Sequence, residues 1–359
     1  MKTKIIITVG PKTESYEAIN NLVSAGTDMI RLNFSHATAE QFLNVKKIVK
    51  KIEKETGKKI YLIQDLQGPR IRVGKLPAEG FHLIDGSTVV LTTGQNDLSK
   101  NIIRIDDNKL YADISKGDPI FLSNGELELV VIDVKDEEII CRVIKGGLLA
   151  SHKGINVPHT NLERGGLTGK DIKDVKYVLE NGGVDYIALS FVQTSNDVKK
   201  LKDLIAKFAK KGEAPLIISK IERGIALKNI DSIIVESDAI MFARGDLGIE
   251  IPIENLPIIQ KSMVRHAHWH DTPIIIATQV MTSMIVNDSP TRAEVSDISN
   301  AIFDRADGVM LSDETAIGAH PVAAVRMLKK VIRRTEEYLE KKNFFDPGVG
   351  EKLVLKYNK

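Results

Sequence analysis

The chain has 359 residues, with 50 lysines and arginines against 48 aspartates and glutamates, a formal net charge of +2, and one cysteine. This near-neutral balance gives no broad positive field, so we expect neither nucleic acid nor a membrane surface as a partner. One cysteine, Cys141, cannot form an internal disulfide, which favours the cytoplasm. No apolar stretch approaches the roughly 20 residues of a membrane span.

Short β-branched runs alternate with longer amphipathic stretches, which predicts βα units around a parallel sheet. The eight runs are 4–9, 29–33, 60–64, 185–190, 216–221, 239–243, 273–278 and 308–311. Their consecutive apolar residues indicate strands covered on both faces. The sequence therefore predicts an α/β fold of the (β/α)8 TIM barrel type.

A segment of different character follows the third predicted strand. Residues 74–156 alternate polar and apolar side chains in period two, with turn signals such as Asp85-Gly86 and Asn124-Gly125. We predict a small all-β, β-barrel-like lid domain inserted there. The barrel then comprises 1–73 and 157–342, close to the roughly 250 residues typical of such barrels, and 343–359 form a polar tail.

Two helix boundaries are predicted from local signals. Ser289-Pro290 before 291–303 suggests an N-cap followed by a proline in the first turn. The last helix is predicted over 321–342.

Polar or charged side chains follow every predicted strand, where a barrel places its chemistry. They are Thr8; Arg31, Asn33, Ser35 and His36; Asp65, Arg70 and Arg72; Ser190; Lys220 and Glu222; Arg244 and Asp246; Thr278 and Gln279; and Ser312, Asp313 and Glu314. One polar strand end is often an ordinary solvated loop. Eight converging ends predict a functional site at the barrel mouth.

Two of these carboxylates, Glu222 and Asp246, end neighbouring strands and suit a Mg²⁺ ion that keeps waters and shares substrate oxygens. Lys220, Arg31 and Arg72 add positive charge. Cations around an open metal site indicate a clamp for a transferring phosphoryl group. An alternative stays open at this point: Glu222 and Asp246 form ordinary salt bridges with Lys220 or Arg244.

Gly245 follows the sixth strand and has no Cβ, so it permits a close backbone approach. Free backbone N–H groups at such a loop or helix start bind anions. A substrate carboxylate is a good candidate for this position.

Nine blocks of the sequence, in this order and on these strands, resemble the pyruvate kinase family. They are Thr8-Val9-Gly10-Pro11, Arg31-Leu32-Asn33-Phe34-Ser35-His36, Asp65-Leu66-Gln67-Gly68-Pro69-Arg70-Ile71-Arg72, Lys153-Gly154-Ile155-Asn156-Val157-Pro158, Ser219-Lys220-Ile221-Glu222, Ala243-Arg244-Gly245-Asp246-Leu247-Gly248, Ala277-Thr278-Gln279, Pro290-Thr291-Arg292-Ala293-Glu294 and Leu311-Ser312-Asp313-Glu314-Thr315-Ala316. The resemblance covers residues 4 to about 330. It implies a glycolytic enzyme that transfers a phosphoryl group from phosphoenolpyruvate to ADP with Mg²⁺, which Mn²⁺ can replace, giving pyruvate and ATP.

The resemblance also implies catalytic roles. Glu222 and Asp246 are similar to the family's magnesium ligands, and Lys220 to the cation that stabilises the phosphoryl group in flight. Arg31 is similar to the arginine that grips the substrate phosphate. Thr278 lies near the carbon that must be protonated, and its hydroxyl resembles, with the N–H groups of residues 245 and 246, the cradle of the substrate carboxylate.

Two further sets of residues follow from the same resemblance. The residues similar to the family's nucleotide contacts are Thr8, Pro11, Asn33, His36, Arg72 and Lys170, and the resemblance also implies a catalytic role for Arg72. The residues similar to the family's monovalent cation site are Asn33, Ser35, Asp65 and Leu66, the last through its carbonyl. The inserted β domain is expected to close over the barrel mouth and exclude water.

Two residues depart from the family pattern. Arg70 stands where many members have glutamate, and Leu66 where they have threonine. A glutamate adds a negative charge that bound K⁺ can balance, whereas Arg70 supplies a fixed positive charge. We expect Arg70 to replace the cation, so that K⁺ is not required. The alternative is that Arg70 points to solvent and the cation still binds.

The resemblance stops before the C-terminal domain that holds the effector site in most relatives. The sequence therefore predicts a short form without that domain, not regulated through it and indifferent to fructose 1,6-bisphosphate. A homo-oligomer is expected, with a dimer through barrel contacts favoured.

Two other functions remain open. One is a metal-dependent aldolase or lyase that handles a pyruvate enolate with the same carboxylate pair, although it has no phosphoryl charge for Lys220 to neutralise. The other is a catalytically silent fragment that binds nucleotide or phosphoenolpyruvate, although such a protein has no need of an intact Lys220, Glu222, Asp246 and Thr278.

Overall fold

Strands form both the barrel and the segment inserted in it. The structure is a computed structural model that describes residues 2–158 and 166–341. The first three strands are β1 (Lys4–Val9), β2 (Met29–Asn33) and β3 (Tyr61–Asp65). Nine strands follow within the inserted segment: β4 (Ile71–Arg72), β5 (Phe81–Leu83), β6 (Thr88–Thr92), β7 (Ile102–Arg104), β8 (Pro119–Leu122), β9 (Leu127–Lys135), β10 (Glu138–Lys145), β11 (Gly147–Leu149) and β12 (Gly154–Asn156). The last five are β13 (Tyr186–Leu189), β14 (Leu216–Ile221), β15 (Ala239–Ala243), β16 (Ile274–Ala277) and β17 (Gly308–Met310).

One or two helices follow each barrel strand except β3, and one short helix lies in the inserted segment. The helices are α1 (Tyr16–Ala25), α2 (Ala39–Thr56), α3 (Leu110–Asp113), α4 (Gly169–Glu180), α5 (Ser195–Phe208), α6 (Gly224–Lys228), α7 (Ile230–Glu236), α8 (Arg244–Glu250), α9 (Leu256–Trp269), α10 (Arg292–Phe303), α11 (Asp313–Ala316) and α12 (Pro321–Glu340). In α2, the Thr38 side chain accepts a hydrogen bond from Gln41 N at the start, and Gly57, at φ +68°, ends the helix. Its apolar residues Phe42, Val45, Ile48, Val49 and Ile52 fall on one buried face.

Eight parallel strands close into a barrel in the order β1-β17-β16-β15-β14-β13-β3-β2. Its interior is filled by buried side chains that include Ile6, Ile63, Met241 and Ile275. Gly308 on β17 leaves room for this packing, because a Cβ there would lie 2.8 Å from Ile6 Cδ1 and the isoleucine would have to shift. The predicted (β/α)8 fold is confirmed.

The inserted segment forms a seven-stranded sheet in the order β4-β12-β8-β9-β10-β6-β7, with a separate pair of β11 and β5. It has a hydrophobic core of its own, which includes Leu91, Ile120, Leu129 and Cys141. Because these strands lie between β3 and β13 in the chain, the predicted insertion of a β domain after the third barrel strand is confirmed. The division at 73/74 and 156/157 stays a prediction.

One predicted helix start is wrong. The N-cap of α10 is Thr291 rather than Ser289, because Thr291 and Glu294 form a reciprocal capping box. Ser283 also donates to the Glu294 carboxylate, which fixes Glu294 in place. Pro290 therefore precedes the cap.

The last helix, α12, runs from Pro321 to Glu340. Lys342 and the predicted tail at 343–359 lie outside the described residues. No helix in the described ranges is long and apolar enough to cross a membrane.

Cys141 lies on β10 in the lid core with no exposed surface, and burial raises the pKa of its thiol to about 12. Because the thiolate is the reactive form, we expect the native protein to be inert to Ellman's reagent at mildly alkaline pH. After unfolding in guanidinium, one thiol per chain should react. Rapid labelling of the native protein would show that the lid core is open to solvent.

Candidate active site

The register of the barrel brings the predicted site residues to one mouth. Thr8 pairs with Arg31, Asn33 with Asp65, and Ala243 with Ala277, so neighbouring strands end at similar heights. Side chains at these ends form two hydrogen-bonded networks, one around Lys220 and one around Thr278.

Lys220 is the centre of the first network. Its Nζ lies 2.7 Å from Ser190 Oγ, 2.9 Å from Glu222 Oε1 and 3.0 Å from Asp65 Oδ1. The side chain is buried, and burial alone lowers the pKa of the ammonium. The Asp65 and Glu222 carboxylates outweigh burial and raise that pKa. Lys220 is therefore a permanent cation at neutral pH.

Asp65 joins Lys220 to Arg31 and is fully buried. Arg31 Nε donates to Asp65 Oδ2, while Lys220 donates to Oδ1. Burial raises the pKa of the Asp65 carboxyl, but the Arg31 and Lys220 charges outweigh it and hold this pKa below its usual range. Asp65 is therefore ionised and fixes both cations.

Thr8 sets the orientation of Arg31. Arg31 Nη1 donates to Thr8 Oγ1 at 3.0 Å, and that hydroxyl donates to the Leu311 carbonyl at 3.0 Å. Thr8 is buried. Its hydroxyl thus contacts Arg31 in this structure, whereas the sequence interpretation expected a nucleotide contact.

Ser190 is a polar strand end to which the sequence assigns no role. It follows β13 directly, accepts from Lys220 and donates to the Leu66 carbonyl at 2.7 Å. The available signal was its register, since β13 lies between the strands that carry Asp65 and Lys220.

The predicted metal ligands differ in environment. Glu222 is buried, and its Oε2 accepts from Phe191 N at 2.8 Å. Burial raises the pKa of the Glu222 carboxyl, Lys220 opposes this, and repulsion from the Asp246 and Asp65 carboxylates adds to the rise. The side chain of Asp246 is 21% exposed.

This donor set fits a magnesium ion that is shared with substrate. A divalent cation would relieve the repulsion between the Glu222 and Asp246 carboxylates, and two carboxylates are the usual protein share of such a site. In the described part of the chain, no group of three or more histidine, cysteine, aspartate or glutamate side chains is arranged to hold a metal alone.

The salt-bridge alternative is present only in part. Glu222 does pair with Lys220, whereas Arg244 pairs with Asp297 of α10 at 2.6 Å. Asp246 has a looser partner in Arg70, whose Nη2 lies 3.6 Å from Asp246 Oδ1.

The second network holds the loop after β16 in an uncommon backbone conformation. Thr278 has φ +65° and Gln279 has φ +52°. For a β-branched residue this left-handed region costs about 1–3 kcal/mol. Gly245 N donates to Thr278 Oγ1 at 2.7 Å, and that hydroxyl donates to the Ala277 carbonyl at 2.6 Å. A Cβ at Gly245 would lie 3.2 Å from the hydroxyl oxygen, so the glycine permits the approach.

Three of the predicted nucleotide and cation residues form one turn after β2. Asn33 Oδ1 accepts from Ser35 N at 3.1 Å, and His36 is exposed. Lys170, at the start of α4, donates to the Phe34 carbonyl in this turn at 2.6 Å. Pro11 is exposed in the turn after β1.

Arg72 and Arg70 lie where the chain enters the lid. Arg72 Nη1 donates to the His152 carbonyl at 3.1 Å. The Arg70 side chain is 29% exposed, and its Nη2 lies 3.5 Å from Asn124 Oδ1 of the lid. Within the described residues, no hydrogen bond or ion pair joins Arg70 to Asp65 or to the turn after β2.

Comparisons with known proteins concern the sequence and the fold of the chain. Residues 1–325 match the family described as pyruvate kinase, barrel domain. A pyruvate kinase of Thermococcus litoralis is 42% identical over 94% of this chain and 70% of its own length. One of Thermotoga maritima is 43% identical over 94% of this chain and 72% of its own length. The crystal structure of a pyruvate kinase from Cryptosporidium parvum superposes with a TM-score of 0.88 at 35% identity, covering 94% of this chain and 69% of that one.

Proposed function

The chain belongs to the pyruvate kinase family, and we propose that it transfers the phosphoryl group of phosphoenolpyruvate to ADP with Mg²⁺, giving pyruvate and ATP in glycolysis. The observation that carries the proposal is the buried Lys220 ammonium, fixed by Asp65 and Glu222 at the barrel mouth. A cation held in this way is suited to a transition state whose charge spreads over the phosphoryl oxygens.

The positive charges around the phosphoryl group have different roles. Arg31, oriented by Thr8 and Asp65, binds the phosphate of phosphoenolpyruvate, and Lys220 neutralises the oxygens during in-line transfer to ADP. Magnesium held by Glu222 and Asp246 supplies Lewis-acid stabilisation of the same oxygens when it is bound. Arg31 and Lys220 are both fixed before substrate arrives, so little reorganisation of these two side chains accompanies the reaction.

The leaving group is the enolate of pyruvate, which must be protonated. We assign its carboxylate to the N–H groups of Gly245 and Asp246 and to the Thr278 hydroxyl. On binding, the Gly245 N–H would exchange its bond to Thr278 Oγ1, and the Thr278 hydroxyl its bond to the Ala277 carbonyl, for bonds to the substrate. Thr278 Oγ1 lies 2.7 Å from Gly245 N, so one small region can hold the carboxylate near the carbon that is protonated. A threonine hydroxyl is too weak an acid to act alone, and we propose a water relay beside it as the donor.

Nucleotide is proposed to bind beside this region, towards the lid. The residues assigned to it are Thr8, Pro11, Asn33, His36, Arg72 and Lys170. Arg72 connects the nucleotide side to the lid through the His152 carbonyl. Closure of the lid would exclude water, which otherwise competes with ADP for the phosphoryl group.

A coupled assay tests this function. Pyruvate should form from phosphoenolpyruvate only when ADP and Mg²⁺ are both present. Cleavage of a larger pyruvate-containing substrate without ADP would favour the aldolase or lyase, and binding of phosphoenolpyruvate without turnover would favour the silent fragment.

Potassium independence is proposed for the same site. Asp65 is already neutralised by Arg31 and Lys220, the Leu66 carbonyl accepts from Ser190, and Arg70 adds a fixed positive charge beside Asp246. We expect equal activity in tetramethylammonium buffer with and without KCl. The Arg70→Glu variant should become dependent on KCl, because it replaces that charge with a negative one.

Strong activation of the parent enzyme by KCl would contradict this expectation. A variant such as Lys176→Glu, which reverses the charge of an exposed lysine on α4, is the matched control and should leave the response to KCl unchanged.

We propose that the enzyme works in the cytoplasm as a homodimer. The single cysteine suits a reducing compartment. Ile253, which precedes α9, and Ile258 and Trp269, near its start and at its end, are 72%, 68% and 83% exposed, and we propose that another copy covers these apolar side chains. Sedimentation should give twice the 39.7 kDa chain mass, and a monomer at micromolar concentration would contradict the dimer.

A further inference from the structure

The structure assigns a positioning role to Arg244: we propose that this side chain holds the loop after β16 in its left-handed conformation and thereby places the Thr278 hydroxyl. The inference rests on the proposed function for its kinetic consequence, but not for the geometry on which it is built. Arg244 is the first residue of α8, and its side chain is buried rather than directed into solvent.

The guanidinium binds the loop at two consecutive carbonyls. Arg244 Nε and Nη2 lie 3.2 and 3.1 Å from the Thr278 carbonyl oxygen, and Nη2 lies 3.0 Å from the Gln279 carbonyl oxygen. These are the two residues with positive φ. Left-handed non-glycine residues persist only where the surroundings hold them, and Arg244 supplies three hydrogen bonds at this position.

A carboxylate on α10 completes the arrangement. Arg244 Nη1 lies 2.6 Å from Asp297 Oδ2, so the third nitrogen of the guanidinium is bound as well. The planar guanidinium places separate nitrogens on the two carbonyls and on the carboxylate, whereas lysine would have to reach all three from one nitrogen on a different stem. Asp297 thus orients Arg244 and balances its buried charge.

The hydroxyl is fixed by the adjacent residue. Gly245 N donates to Thr278 Oγ1 at 2.7 Å. Arg244 therefore fixes the backbone of Thr278, and Gly245 fixes its side chain. If Arg244 releases the carbonyls, Thr278 is expected to relax to negative φ, and the hydroxyl then leaves the position beside Gly245.

In the proposed reaction this displacement affects protonation of the enolate. A misplacement of about 1 Å in a reacting group can lower the rate by roughly 100-fold. We therefore expect Arg244→Lys to lower kcat by roughly 100-fold, while KM for ADP is unchanged, because the nucleotide residues lie in other loops. Exchange of the pyruvate methyl protons in D₂O, followed by NMR, should fall in parallel with kcat.

The test combines crystal structures with kinetics. Arg244→Lys keeps the charge, and Asp297→Asn, at a side chain 40% exposed, weakens the same contact if the first variant does not fold. Lys261→Met is the control, because it breaks the ion pair of α9 with Asp304 of α10 without contacting the loop. In Arg244→Lys we expect negative φ at Thr278, loss of the Gly245 N contact and reduced kcat. In Lys261→Met all three should match the parent.

An unchanged loop conformation in Arg244→Lys would overturn the inference. If only Asp297→Asn folds, an unchanged loop in that variant would overturn it. A change confined to KM for ADP, with kcat unaltered, would also overturn it. If the parent itself makes no pyruvate, the proposed function fails. The crystal structures then still decide whether Arg244 holds the loop.

Discussion

Replacing Lys220 by methionine is expected to lower kcat by roughly 10²–10³-fold, the usual loss when one strong electrostatic donor is removed from a transition state. The ammonium lies 2.9 Å from Glu222 Oε1 and 3.0 Å from Asp65 Oδ1, so it is fixed where phosphoryl charge develops. KM for phosphoenolpyruvate should change much less, because Arg31 remains to bind the phosphate. Steady-state kinetics on the coupled assay measures both constants.

The same variant is expected to be less stable. Removal of Lys220 leaves the Asp65 and Glu222 carboxylates buried near one another, and loss of one partner of a buried ion pair costs about 3–5 kcal/mol. Thermal unfolding must therefore accompany the kinetics. Lys176→Met, at an exposed lysine of α4, is the matched control and should resemble the parent. If kcat survives and only KM rises, Lys220 is a binding residue rather than a catalytic one.

Replacing Glu222 by glutamine is expected to raise the Mg²⁺ concentration for half-maximal activity by more than the roughly 10–100-fold typical of mutations outside the ligand shell. Glutamine keeps an oxygen acceptor for Phe191 N, so the backbone contact at 2.8 Å can persist while the charge is lost. Titration of activity with Mg²⁺ gives the shift. Binding of Mn²⁺, followed by electron paramagnetic resonance without substrate, should weaken in the same variant.

Glu180→Gln, on the exposed end of α4, is the corresponding control and should leave both metal titrations unchanged. A Glu222→Gln enzyme with the parent's Mg²⁺ dependence would remove Glu222 from the proposed metal site. The role of Glu222 would then be limited to its salt bridge with Lys220.

The strands, and the face of the barrel on which their polar ends converge, were predictable for a clear reason. Strands β1, β2, β14 and β15 have the predicted bounds, because strands buried on both faces carry apolar residues at consecutive rather than alternate positions. The others differ by a single residue at one or both ends, where a polar strand end and the following loop are alike in sequence. The carboxyl ends of parallel strands must share one face of a barrel, so these polar side chains could be expected to converge before their contacts were known.

The contacts within the site depend on features that a sequence does not display. A β-branched residue argues against positive φ, so nothing in the local sequence predicted the left-handed Thr278. The sequence places Arg244 beside Asp246 as a salt-bridge partner, but in the folded barrel its guanidinium pairs with Asp297, 53 positions away in the chain. Arg70 approaches both Asp246 and Asn124 of the lid, a contact that arises only when the lid docks on α8.

The most direct test of the central claim follows the phosphorus atom itself. Phosphoenolpyruvate and ADP are mixed with Mg²⁺ and the enzyme, and the ³¹P NMR spectrum is recorded over time. We predict that the phosphoenolpyruvate resonance disappears as the γ-phosphate of ATP appears in equal amount, and that Lys220→Met slows both changes together. Loss of phosphoenolpyruvate to inorganic phosphate, or no change in the spectrum, would contradict the assignment of this barrel to phosphoryl transfer.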